Sequence, residues 1–305
     1  VEQGTICIFE GSEKVKHILE RYRAMVDDSL KRFVRGYKGI PAELKSGIMY
    51  ALFPGGKRFR PLLFLSTIEA LGGEAADFLP FACGIEMVHS FSLVHDDLPS
   101  MDNDYFRRGK PALHEYMGDG KALLVGDALL IMAFEVAMSL ELYGDVDAEL
   151  VIKASKELAR ASGASGMTGG QFLDVDVSKD GTDNELLLKW IHEHKTSALI
   201  RVSVLSAGIF LRRDDYLDRL ASYGRSLGML FQLVDDIMDV DSGEKSNYAE
   251  LVGLEKALEE ARRFKMMAEE ELSFLGDKAG VLKYMVSYIF ERGEQFVSLG
   301  KHKLA

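Results

Sequence analysis

The chain has 305 residues, 47% of them hydrophobic and 28% charged, which supplies a large core and excludes wholesale disorder. A formal charge of -11 disfavours non-specific attraction to nucleic acid or anionic lipid, yet leaves room for a local basic cluster that takes an anionic small molecule. Two cysteines, Cys7 and Cys83, in no metal-binding spacing, argue against a disulfide scaffold or zinc module; with no secretory signal and apolar runs read as too short to span a bilayer, the expected location is cytoplasmic.

The first element is "SEKVKHILERYRAMVDDSLKRFV", where Val15, Ile18, Leu19, Tyr22, Met25, Val26 and Leu30 recur by threes and fours and predict an amphipathic helix. Helical patterns follow over roughly 42–53, 60–70, 76–97, 120–142, 148–164, 185–211, 215–240, 248–274 and 278–293. Breaks fall at "GYKGIP", "FPGGKR", "ALGGE", "YGDVD", "SKDGTDN" and "LGDKAG". The last of the six prolines is Pro111, so nothing after it interrupts long helices. "GKALLVGDALLIMAFEVAMSL" and "HKTSALIRVSVLSAGIFL" are apolar on most faces, as interior helices are. The expectation is an all-α fold, a large single-domain helical bundle over residues 1–305.

Two segments echo each other: "SLVHDDLPSMD" and "QLVDDIMDVD" each set an acidic pair at the C-terminal end of an apolar run. In the second, Asp235 and Asp239 are four apart and share a helix face, with Asp236 pointing partly aside. Like charges so placed repel unless a cation lies between them, and hard carboxylate oxygens suit Mg²⁺ bridged to phosphates. In the first, Asp96, Asp97 and Asp102 read DDxxxxD; six residues do not align on a regular helix, and Pro99 is expected to loosen the turn that brings Asp102 round.

Basic residues supply the complement. "FPGGKRFRP" places Gly55 and Gly56 before Lys57, Arg58 and Arg60, glycines that let backbone approach a ligand and cations that take phosphate oxygens. "YFRRGKP" adds Arg107, Arg108 and Lys110, the last readable as plain surface, and "HEHKTSAL" adds Lys195. His89 lies two turns before Asp96 on nearly the same face and suits a phosphate contact, whereas His95 suits a satisfied polar role beside the carboxylates. Asp104 reads as ordinary surface charge. Together these groups imply a phosphorylated substrate, best a diphosphate, with an apolar body; metal-assisted loss of diphosphate from an allylic chain uses both halves.

The motifs "GGKRFRP", "SLVHDDLPSMDNDYFRRGKP", "GGQFLD", "HKTSAL", "FQLVDDIMD" and "YIFERGE" occur in an order that resembles the trans-prenyl diphosphate synthases over essentially the whole chain. The resemblance implies an all-α bundle around a deep central cavity, a homodimer, and head-to-tail condensation of isopentenyl diphosphate onto an allylic diphosphate. It implies that Asp96, Asp102, Asp235 and Asp239 hold Mg²⁺ (Mn²⁺ as a substitute), with Asp97 and Asp236 in support. It gives Arg107, Lys195 and Lys245 to the allylic diphosphate, and Lys57, Arg60, His89 and Arg108 to isopentenyl diphosphate. Thr196 and Gln232 line the reacting centre, and Gly56, Arg58, Gln171 and Asp174 support it. The implied chemistry is ionisation, attack by the isopentenyl double bond and proton loss to the departing diphosphate, in a site closed to water.

Phe91 precedes Asp96 by five residues, about 7.5 Å along a helix axis, where a large ring beside the small Ser92 forms a floor for the growing chain. This pattern is similar to bacterial farnesyl diphosphate synthases and implies dimethylallyl, then geranyl diphosphate as primers and a C15 product. A geranylgeranyl or longer-chain synthase and a noncatalytic subunit of a mixed dimer are the alternatives. Two departures stand out: the loop after Asp239 is compressed to "DVDSGEKSNYAELVGLEKA", with Asn247 and Ala249 where relatives carry Thr and Pro, and Tyr105 stands where an acid is common.

Overall fold

The computed structural model describes residues 13–53, 55–180, 184–240 and 247–303, the side chains of 176–180 and 300–303 excepted. The described residues are overwhelmingly helical, as expected from the absence of alternating patterns. In chain order they form α1 (Glu13–Gly36), α2 (Ala42–Leu52), α3 (Phe59–Ala70), α4 (Leu79–Asp96), a two-stranded ribbon of β1 (Phe106–Arg107) and β2 (Lys110–Pro111), α5 (Leu113–Met117), α6 (Asp119–Met138), α7 (Ala148–Ser162) and α8 (Met167–Asp180). There follow α9 (Glu185–Ile191), a π-helical turn (His192–Ser197), α10 (Ala198–Phe210), α11 (Leu217–Met238), α12 (Tyr248–Val252), α13 (Leu254–Glu271) and α14 (Gly280–Lys303).

Most differences from the sequence-predicted elements have local causes. The pattern over 185–211 carries the π turn in its middle, and the pattern over 248–274 is two helices split at Gly253, whose φ of 88° breaks the helix. Helix α8 escaped the periodicity reading because glycines and carboxylates dilute its apolar face. One helical stretch, Ala75–Asp96, is in fact long and apolar enough to cross a membrane, but 67% of that window is buried inside the protein, as in a core helix.

The chain divides into two compact units. The N-terminal unit takes Leu19–Leu65 and Glu74–Ser155. Here α1 buries Leu19, Tyr22, Val26, Leu30 and Val34, close to the predicted stripe. Helix α4 packs along α6, and the pair comes close because Gly84 has no side chain: a Cβ there would lie 2.9 Å from the Ala133 carbonyl oxygen. Arg58 pins the unit. Its side chain has no exposed surface; Nε donates to Asp27 Oδ1 of α1 at 2.9 Å, Nη1 to Glu86 Oε1 of α4 at 2.6 Å, and Nη2 to the Leu52 carbonyl ending α2 at 2.7 Å. Removing one partner of such a buried pair strands the other charge, at a cost of about 3–5 kcal/mol.

The second unit takes Lys156 onward with Ser66–Gly73 and the first turns of α1. Helix α11 is its axis, flanked by α10, α12, α13, α14 and the π turn. Gly224, Gly228, Gln232 and Asp236 stand four apart and form one ridge of α11. The two glycines seat this ridge on backbone: a Cβ at Gly224 would lie 2.7 Å from Arg201 Cα, and one at Gly228 2.5 Å from Ser197 Cα. Elsewhere in the unit, Glu185 at the start of α9 accepts from Lys189 and Lys256 at 3.0 Å and from the Tyr248 hydroxyl at 3.1 Å, tying α9 to α12 and α13.

These donors, Lys256 first, lower the Glu185 carboxyl from its ordinary 4.5 to about 2. A depressed folded-state pKa adds stability above the ordinary value, and that stability is lost as pH falls through the folded one. Glu185→Gln is therefore expected to melt below the wild type at pH 7, and the gap to close as pH falls from 4.5 towards 2 in thermal scans.

Candidate active site

Carboxylates at a helix C-terminus face the negative end of its dipole, so an acid there is unfavourable unless a cation is present. Both aspartate motifs sit in that position. Helix α4 ends on Asp96 with Asp97 as its C-cap, and α11 ends at Met238 with Asp239 as its C-cap. The chain then turns back as Pro99 led one to expect: the Asp102 amide donates to the Asp96 carbonyl at 2.9 Å, which brings the six-apart pair together.

Within each pair the two aspartates differ. Asp96 and Asp235 are half-buried, whereas Asp97 and Asp236 are buried. Asp97 Oδ1 takes Arg107 Nε at 2.8 Å and also Arg107 Nη2, which reaches Asp104 Oδ2 at 2.7 Å. Asp104 is thus a working partner of Arg107, not idle surface charge. Burial raises the Asp97 pKa against the lowering effect of Arg107.

Arg107 and Arg108 belong to a hairpin whose register pairs Arg107 with Lys110 and Phe106 with Pro111. Its two-residue turn, Arg108 at φ 55° and Gly109 at φ 75°, has the left-handed geometry that matches strand twist. The turn sends the Arg108 guanidinium over Gly56, where a Cβ would lie 2.7 Å from Nη2. Gly55 is occupied likewise by Arg58. The glycine pair therefore admits two guanidiniums of the protein itself. Beside them, Arg60 Nη1 lies 3.4 Å from His89 Nε2. Burial, then Arg60, Arg108, Arg58 and Arg107 in that order, hold His89 well below its ordinary pKa, so the ring is neutral at pH 7 and carries one N–H. Burial also lowers the Arg108 pKa. Cations crowded around a neutral imidazole form a site for an anion. Lys57, three residues before Arg60, is exposed.

The second unit builds a polar chain beside the π turn, a distortion frequent at functional sites. Thr196 Oγ1 donates to Gln232 Oε1 at 2.7 Å, and Gln232 Nε2 donates to Asp236 Oδ1 at 2.8 Å. Asp236 Oδ2 accepts the Tyr248 amide at 2.8 Å and lies 3.2 Å from His192 Nε2, while Asn247 Nδ2 donates to the Asp236 carbonyl at 2.8 Å. Lys195 Nζ donates to Asp174 Oδ2 at 2.5 Å. In "GGQFLD", Gly170 admits the backbone of the π turn, since a Cβ there would lie 2.3 Å from the Lys195 amide nitrogen. The Gln171 amide is buried without a hydrogen-bond partner among the described residues, an unusual state for a polar group. Asp174, His192, Lys195, Thr196 and Gln232 line one concavity of about 380 Å³. Burial, then Asp236, raises the Asp239 pKa, with Arg292 opposing.

Phe91 is buried on α4 and meets the His95 ring edge-on, with centroids 4.9 Å apart. His95 is satisfied from α6, 3.1 Å from the Leu123 carbonyl and 3.7 Å from Asp127, over Gly126. Ser92 Oγ returns to the His89 carbonyl at 3.0 Å. Lys245 lies outside the described residues. Asn247, in place of the expected Thr, caps α12 by accepting the Glu250 amide at 3.0 Å, a role either residue can fill. Sequence reasoning missed His192, although it precedes Lys195 by three in "HEHKTS", and it missed Glu86 and Asp27, which carry no motif.

No three acidic, histidine or cysteine side chains among the described residues approach closely enough to cage a metal. Mg²⁺ does not require a cage: it takes one or two carboxylates, substrate phosphates and water. The Asp96–Asp102 turn offers such a donor set.

The polyprenyl synthetase family model matches residues 41–248. A farnesyl diphosphate synthase of Micrococcus luteus is 38% identical over 286 residues, 88% of this chain and 95% of its own. The large subunit 1 of the heterodimeric geranylgeranyl pyrophosphate synthase of Arabidopsis thaliana is 40% identical over 272 residues, 83% of this chain and 73% of its own. Among solved structures, a geranyltransferase from Legionella pneumophila superposes with a TM-score of 0.86 at 30% identity, covering 92% of this chain and 98% of that one. The helix-ending aspartates, the arginine–histidine cluster and these likenesses agree: this chain belongs to the polyprenyl synthetase family and is a prenyltransferase of the all-α isoprenyl synthase fold.

Proposed function

We propose that this protein condenses isopentenyl diphosphate with dimethylallyl and then geranyl diphosphate to give farnesyl diphosphate, in one catalytic domain with an apolar cavity for the growing chain. The observation that carries the condensation is the neutral His89 among Arg60 and Arg108, an anion site in the same unit as the Asp96–Asp102 turn. Asp96 and Asp102 in one unit, and Asp235 and Asp239 in the other, would hold Mg²⁺, which would neutralise charge on the leaving diphosphate. Arg107, Lys195 and Lys245 bind the allylic diphosphate. Lys57, Arg60, His89 and Arg108 bind isopentenyl diphosphate, the imidazole as an N–H donor.

The polar chain has its own task. Asp236 fixes the Gln232 amide, and Gln232 fixes Thr196, so these dipoles stand oriented before substrate arrives. Asp174 holds the Lys195 ammonium in place. Apolar walls keep water from the allylic cation until the isopentenyl double bond attacks, and the proton leaves with the diphosphate.

Phe91 supports the C15 product, since its ring is buried on α4 one and a half turns from the helix-ending aspartates. For assembly, Leu124, Ile131 and Met138 stand seven apart on α6 and remain 60%, 62% and 49% exposed, an apolar seam that supports a homodimer.

Purified protein with Mg²⁺, isopentenyl diphosphate and each short allylic primer is expected to yield mainly C15 product by mass spectrometry; no condensation with any primer defeats the enzyme reading, and mainly C20 or longer product defeats the farnesyl assignment. Phe91→Ala should shift the products to C20 and beyond, whereas an unchanged distribution places the chain stop elsewhere. Ile131→Asp should convert a dimer into a monomer in sedimentation; a variant that keeps the dimer mass moves the interface off α6.

A further inference from the structure

Helix α2 ends at Leu52, and its last carbonyls form the negative end of the helix dipole. Two cations answer them. Arg58 takes the Leu52 carbonyl at 2.7 Å. Lys110 donates to the Tyr50 carbonyl and, at 2.6 Å, to the Phe53 carbonyl. The Lys110 ammonium also lies 3.6 Å from the centroid of the Tyr50 ring, a cation–π contact, and the Tyr50 hydroxyl donates to the Pro111 carbonyl at 2.8 Å.

A solvated surface lysine makes none of these contacts. Burial, then Arg108, lowers the Lys110 pKa, so the ammonium is held where charge is costly by the acceptors beneath it. One leg of the hairpin is tied through Arg107 to Asp97, the other through Lys110 to α2. Arg108 stands at the turn between the two legs, over Gly56. It makes no hydrogen bond of its own among the described residues, so its place depends on the legs.

We infer that Lys110 is a positioning residue: by clamping the hairpin to the carbonyls that end α2, it holds the Arg108 guanidinium over Gly56 for the isopentenyl diphosphate. The inference rests on the proposed role of Arg108. Lys110 does not touch the substrate. Releasing its leg leaves Arg108 on a two-residue turn fixed from one side only, and misplacement of a binding group weakens the ligand it serves.

The test compares wild type, Lys110→Met and Lys110→Arg by steady-state kinetics in each substrate, by calorimetric binding of isopentenyl diphosphate without primer, and by thermal unfolding. Lys110→Met, which keeps the stem and loses the donors, is expected to raise both KM and Kd for isopentenyl diphosphate about tenfold, with kcat and the primer KM little changed. Lys110→Arg should restore most of the loss, because a guanidinium still reaches both carbonyls. An unchanged KM and Kd in Lys110→Met overturns the inference. So does an equal loss in both substrates and in kcat with no rescue by arginine, since that pattern marks a general structural role. Should Lys110→Met fail to fold, Lys110→Gln is expected to show an intermediate rise in Kd, and wild-type affinity there overturns the clamp. Binding that weakens on mutation in a protein that condenses nothing supports the clamp and removes only the proposed reaction.

Discussion

A guanidinium with no exposed surface must be neutralised where it lies, and Arg58 is met from α1, α2 and α4 at once. Two carboxylates answer one cation, so the cluster carries net negative charge beneath a surface rich in arginine. That balance matters for Arg108, whose charge is favoured by Glu86 and opposed by Arg58 and Arg107. The glycines of "GGKR" serve the same arrangement: one is covered by Arg58 and the other by Arg108. A sequence motif that reads as a ligand loop is therefore first a packing device for the protein's own cations. Its anion site is what remains once those cations have been fixed.

The two aspartate pairs divide their labour alike. In each, the first residue is half-buried and the second is buried and committed to the protein. Asp97 holds Arg107 and through it one leg of the hairpin. Asp236 holds Gln232 and the start of α12, and lies against His192. Burial raises the pKa of Asp97, so ionising it costs stability at neutral pH, a cost offset in part by its cation. Acids concentrated at helix ends thus lower the stability of the free protein and prepare it for cationic company.

The all-helical fold was legible because the apolar spacing of α1 and the long proline-free remainder leave little alternative. The return of Asp102 to Asp96 was legible too, from Pro99 and the mismatch of six residues with the helical period. The hairpin was not, since two-residue strands carry no periodicity; what marks it is a left-handed Arg–Gly turn, invisible until φ is known. Lys110 and Asp104 were discounted because single charges in a polar stretch are usually solvated, and only their carbonyl and guanidinium partners distinguish them. His192, Glu86 and Asp27 act through long-range contacts, and no local pattern records those. The ridge of Gly224, Gly228, Gln232 and Asp236 was present in the sequence as a spacing of four, overshadowed by the louder pair Asp235 and Asp239.

The π turn at His192–Ser197 holds more chain per revolution than an α-helix does. It takes up one extra residue between α9 and α10 without turning one helix against the other. Deleting one residue there would let an ordinary α-helix run through with its flanks still in phase. The Lys189 and Glu185 contacts on α9 and the Ser197 contact with Gly228 would keep their faces. What would change is the aim of the side chains inside the turn, Lys195 and Thr196 among them, so the extra residue is a local aiming device.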